Sequence, residues 1–157
     1  MREILFRGQT RRYGEKVRMG DGQKLPGHWV YGGVLQGAGS HSVVYGGENE
    51  NDPAMGLDKW VVYTDTLGQF TGLTDKNGKK IFEGDIILFE DESPSNYEYH
   101  DSTEMRCGEI KFDDGQFYIT NRIVVEMEDL LYYGTIDVEV IGNIHDNPEL
   151  LEVTDNA

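Results

Sequence analysis

The sequence predicts a mainly β protein, made of small barrel-like or curled antiparallel sheets. Three observations carry this. Glycine supplies 20 of the 157 residues, well above the usual ~7 %, so the chain reverses often. The apolar residues fall in short runs rich in Val, Ile, Tyr, Phe and Trp, the types that suit a pleated surface. Only one internal segment, Val124 to Tyr133, carries a helical spacing: Val124, Met127 and Leu131 lie three and seven apart, and Met127, Leu130 and Leu131 three and four apart.

In chain order, Ile4 to Phe6 reads as a first strand and Trp29 to Leu35 as a second. Gly32-Gly33 interrupts the second as a bulge or a close approach of backbones would. Glycines at 37, 39, 46 and 47 bracket a strand over Ser42 to Tyr45, and Lys59 to Tyr63 follows as another. Asn77-Gly78 supplies a reversal that tolerates positive φ, and Gly84 a second turn. Ile86 to Phe89 is a continuous apolar run, the pattern of a strand buried on both faces. Residues 90–104 read as a long acidic loop. Glu109 to Phe112 then alternates, and Asp113-Asp114-Gly115 reads as a three-residue connection with Gly115 in the left-handed position. Val138 to Gly142 is a last strand. Asn147-Pro148-Glu149-Leu150-Leu151 reads as an N-cap, a proline at the first helical position and one helical turn. The whole reads as one domain over 1–157, divisible into two β subdomains at 1–66 and 67–157.

Charge is distributed unevenly. The net charge is −15, yet residues 1–24 hold seven basic residues against three acids. From Glu126 onward there are nine acids and no Lys or Arg. A basic arm on an acidic body can pair with that body, with another copy, or with an external anion. The arm offers Arg7, Arg11, Arg12, Lys16 and Arg18, with Trp29 and Tyr31 beyond it as stacking surfaces, for nucleic acid or for a partner protein. No apolar run approaches the ~20 residues that span a bilayer, and the single cysteine, Cys107, cannot form an intrachain disulfide. A cytoplasmic location and no membrane association are the expectation.

Catalytic patterns are missing from the sequence. Gly37 to Ser42 lacks the Gly-Lys-Ser/Thr of a P-loop and the third glycine of a dinucleotide fingerprint. His28, His41, His100 and His145 show no metal-ligand spacing. No Gly-x-Ser-x-Gly elbow occurs, and Cys107 has only Arg106 beside it. We therefore expect no enzymatic activity, no catalytic residues, no bound metal and no cofactor. Asn77, Gly78, Gly84 and Gly115 are read as structural turns.

Residues 67–86, Leu-Gly-Gln-Phe-Thr-Gly-Leu-Thr-Asp-Lys-Asn-Gly-Lys-Lys-Ile-Phe-Glu-Gly-Asp-Ile, resemble the signature of the YopX family of phage and prophage proteins. Phe6-Arg7-Gly8 with His28 to Gly32, Gly108 to Phe112, and Val140 to Leu151 are similar to further blocks of that family. The resemblance implies a small, largely β protein carried by a phage or prophage, acting in the host bacterial cell, with no biochemical role or site residues to transfer. The expectation is a non-enzymatic accessory protein that works by protein contact as a homo-oligomer, with a host or phage protein as a further partner. The alternatives are a nucleic-acid-binding module using the basic arm, and an acidic decoy that imitates DNA.

Overall fold

In the computed structural model the described residues are 2–10, 28–48, 57–92, 103–121 and 138–152. The chain separates into two compact units, Met1–Phe70 and Thr71–Ala157.

Unit 1 is an antiparallel sheet of β1 (Phe6–Gln9), β2 (Trp29–Leu35), β3 (His41–Glu48) and β4 (Leu57–Tyr63), in the spatial order β4-β3-β2-β1. A 3-10 turn at Thr64–Thr66 leads into β5 (Gly68–Thr74), whose first residues pair with Arg7 and Phe6. Alternation places Val30, Val44 and Val62 on one face, where they are buried with Val34 and Leu67 against them. Gly8 lies over this core: a Cβ there would come within 2.8 Å of Val62 Cγ2. That approach of β1 to β4 shows the sheet curling over its small core. Between β2 and β3 the glycines are reciprocal. A Cβ on Gly32 would meet the Tyr45 carbonyl at 1.8 Å, and one on Gly46 the Tyr31 carbonyl at 1.8 Å. The interruption expected at Gly32-Gly33 is thus a close approach of two backbones.

Unit 2 contains the rest of β5, then β6 (Lys80–Phe82), β7 (Asp85–Glu92), β8 (Thr103–Asp113), β9 (Gln116–Ile119), β10 (Glu139–Asn143) and the single helical turn α1 (Glu149–Glu152). Its sheet runs β10-β7-β8-β9, all antiparallel. Ile81, Ile87, Phe89, Ile110, Ile119 and Val138 form its core, with Leu73, Phe117 and Val140 packed on it. Ile86 and Ile87 point to opposite faces and both are fully buried, as the unbroken apolar run implied.

Both sheets are antiparallel, and the described strands close no barrel. Several boundaries differ from expectation. The first strand is Phe6–Gln9, because it is Arg7 to Gln9, not Ile4, that pair with Tyr31 to Trp29; Ile4 is exposed. Asp113 pairs with Gln116, so the expected three-residue connection is two residues, Asp114 (φ 49°) and Gly115 (φ 79°). Both lie in the left-handed region that a primed hairpin turn needs. The acidic segment is partly strand, since β7 runs to Glu92 and β8 starts at Thr103. The helix expected over Val124 to Tyr133 lies outside the described residues.

Candidate interaction surface

The face of unit 1 opposite the valine core follows from the pairing register. Arg7 opposes Tyr31, Gln9 opposes Trp29, Gly33 opposes Tyr45, Tyr45 opposes Lys59, Leu35 opposes Val43, Val43 opposes Val61, and His41 opposes Tyr63. Directly opposed residues share a face, so Trp29, Tyr31, Leu35, His41, Tyr45, Lys59, Val61 and Tyr63 all lie on this side. Tyr31 is 47 % exposed, Leu35 60 % and Val61 61 %. Arg7, Lys59 and the imidazole of His41 lie among these rings. The Arg7 guanidinium lies 4.5 Å from the Trp29 ring centroid, and Lys59 Nζ 5.9 Å from that of Tyr45, placing both cations over aromatic faces. The rings of His41 and Tyr63 lie 5.0 Å apart, and His41 Nδ1 is 2.9 Å from Ser40 Oγ.

The sequence-based candidates are placed as follows. Arg7 is buried, stacked on Trp29 and opposite Tyr31, so it braces the aromatic row instead of reaching into solvent. Trp29 is half-buried beneath it, and Tyr31 is exposed. Arg11, Arg12, Lys16 and Arg18 lie outside the described residues. Leu35, Tyr45, Lys59, Val61 and Tyr63 join Tyr31 without having been singled out. The alternation of Lys59, Val61 and Tyr63 was a usable signal, but membership of Tyr31's face needs the register across three strands.

The turn candidates belong to unit 2 and serve to lock it. Gly78 (φ 81°) and Gly84 (φ 89°) take the left-handed conformation. Around the first turn, buried Asp75 accepts hydrogen bonds from Asn77 N and Lys79 N at Oδ1 and from Val140 N at Oδ2, at 2.8, 2.9 and 3.0 Å. Burial works to raise the Asp75 pKa. The three N–H donors, Val140 first, and the neighbouring Lys79 ammonium outweigh it and hold the carboxyl below its ordinary range. At the second turn, Asp85 Oδ2 accepts Phe82 N at 2.8 Å. Gly84 joins two strands' worth of neighbours, donating to Ile110 O and accepting from Ile144 N. The C-terminal block works in the same way: Asn143 Oδ1 accepts His145 N and Asp146 N, and its Nδ2 donates to Asp146 Oδ2.

Among the described residues no three His, Cys, Asp or Glu are placed to hold a metal ion. Burial pushes the Cys107 thiol up, the opposite of an activated nucleophile. Arg106 is its neighbour along β8 and so points to the other face. Burial also pushes the Glu109 carboxyl up, with the Lys111 ammonium at 3.9 Å opposing it in part. Among the described residues no helix is long and apolar enough to cross a membrane.

A family model described as YopX protein matches residues 26–152. The chain belongs to the YopX family. Membership covers the β2 to β4 face, both locked turns and the C-terminal block. Among solved structures, the chain is similar to the crystal structure of protein EF1440 from Enterococcus faecalis, with 30 % identity over 71 % of this chain and 74 % of that one, at a TM-score of 0.38. No curated protein sequence matches. The blocks 67–86 and 140–151 that signal this YopX chain include the residues that close its turns, Asp75, Gly84, Asp85 and Asn143 among them.

Proposed function

We propose that this YopX protein is a non-enzymatic accessory protein of a phage or prophage, acting in the host cytoplasm by protein contact and as a homo-oligomer. The single observation behind this reading is the solvent-facing side of unit 1, where Tyr31, Leu35 and Val61 stand exposed in a row of aromatic neighbours. Aromatic residues with few charges are what the centre of a protein interface requires, because rings bury much area at little entropic cost. Light scattering over a range of concentrations, combined with affinity capture from host lysate, tests it. The expected result is a multimer, together with a captured partner lost in Tyr31→Ala and Leu35→Ala while the circular dichroism spectrum is unchanged. A monomer that captures the same proteins as both variants would overturn the reading.

The exposed Lys59 beside the rings of the same face favours nucleic acid as a second reading, with Tyr31 stacking on bases and Lys59 on phosphate. Binding of this kind weakens steeply with salt. Fluorescence anisotropy with a labelled oligothymidine at low salt decides it: affinity lost in both Tyr31→Ala and Lys59→Ala supports it, and flat titrations remove it.

A further inference from the structure

We propose that a second copy of this chain docks on the open edge of β4, by antiparallel strand pairing about a two-fold axis at Trp60. This deepens the oligomer reading above and rests on it.

The edges of the two units are not equivalent. Among the described strands, β6 has three residues and β9 four, and short edges resist pairing. On β10 the Val140 N–H is taken by Asp75 Oδ2, while Val138 O, just before the strand, accepts Lys76 N. The β4 edge has seven residues and carries Trp60 at 39 % exposure and Val61 at 61 %.

Backbone direction follows from a single hydrogen bond. Thr64 N donates to Ser40 O at 2.8 Å, continuing the register in which His41 opposes Tyr63. Bonded and non-bonded pairs alternate in an antiparallel ladder. Val62 and Trp60 therefore exchange bonds with β3, whereas Lys59 and Val61 direct their N–H and C=O groups to the open side. Tyr63 ends this edge, because its carbonyl accepts the Thr66 hydroxyl.

This arrangement is self-complementary. Placing Trp60 opposite the partner's Trp60 sets Lys59 opposite the partner's Val61 and Val61 opposite the partner's Lys59, each pair with both sets of backbone groups facing. The two indoles then meet at a non-bonded position, where Cα atoms lie only ~4.5 Å apart and cross-strand aromatic pairs gain most. Lysine commonly guards an edge against such pairing. Here the Lys59 ammonium lies over the Tyr45 ring of β3, on the side away from the edge.

Each copy carries a net charge of −15, so dimerisation strengthens as salt screens the repulsion. The test uses the full chain with Cys107→Ser. Trp60→Cys is expected to form an intermolecular disulfide on oxidation. Lys59→Cys is not, because the two copies of residue 59 lie ~8 Å apart in this register, beyond disulfide reach. Val61→Pro removes only the open-side donor and is expected to raise the dimer dissociation constant at least about tenfold. Val61→Lys, which leaves the backbone untouched, is expected to act in the same direction through charge repulsion. A wild-type dimer that survives both Val61 variants, with no Trp60→Cys cross-link, overturns the β4 interface while the oligomer reading stands. A wild type that stays monomeric at high salt and high concentration overturns both.

Discussion

Unit 1 and unit 2 are both built on antiparallel strands, but they use their polar residues differently. In unit 2 the carboxylates and amides accept from backbone N–H groups: Asp75 ties its turn to β10 through Val140, while Asp85 and Asn143 close the turns beside them. In unit 1 the polar contacts inside are made by hydroxyls, with Thr66 bridging Gln9 N and Tyr63 O and Ser42 bridging Gly37 N and Thr64 Oγ1. Its Trp29, Tyr31, Tyr45 and Tyr63 share the face opposite the valine core, while Phe70 is buried. The contrast teaches that blocks of one family can serve different ends: those of unit 2 close turns, whereas His28 to Gly32 of unit 1 sets Tyr31 on an exposed strand face.

The contrast breaks most visibly in the core of unit 2. Phe89→Ala empties a fully buried site among Ile81, Ile87 and Ile110 and is expected to cost about 3–5 kcal/mol in urea denaturation. Next is Asp75→Ala, which leaves three N–H groups without their acceptor and is expected to cost about 2–4 kcal/mol. Because its folded-state pKa lies below the unfolded value, the Asp75 contribution is fully present above the unfolded value and disappears as pH falls through the folded one. The gap between wild type and Asp75→Ala should therefore narrow below about pH 4, as measured by denaturation at stepped pH. A constant gap would mean that Asp75 acts by packing alone.

Gly8→Ala sharpens the comparison from the other side. The added methyl meets Val62 and Leu67, and overpacking of this kind costs about 1–3 kcal/mol; a neutral result would mean that β1 can lift away from β4. Glu109→Gln is expected to have a smaller effect, of opposite sign. Its folded-state pKa is raised, so the charged form is penalised at neutral pH. The variant should be slightly more stable at pH 7, with the advantage gone at pH 4, where the wild-type carboxyl is protonated. Tyr31→Ala should change stability by less than about 0.5 kcal/mol, since the ring is exposed, while removing contact with partners. A large loss would place Tyr31 with the structural residues.

Much of the architecture was legible in the sequence because its causes are local. The apolar and aromatic run over Trp29 to Leu35, Asn77-Gly78, Gly84 and the apolar run from Ile86 act within a few residues of chain. Conformational preferences of glycine and asparagine and the two-residue period of a strand operate at that range. The two-residue turn at Asp114-Gly115 was less legible, since Asp113 pairs or turns according to what opposes it. Only tertiary structure decided that Asp75 reaches Val140, 65 residues away, that Arg7 is spent on Trp29, and that Tyr31 shares a face with Tyr45 and Lys59. These depend on strand register, and a shift of one residue would send every side chain to the other face. Register is chosen by the burial of a whole sheet, a sum over distant residues that no local stretch of chain contains.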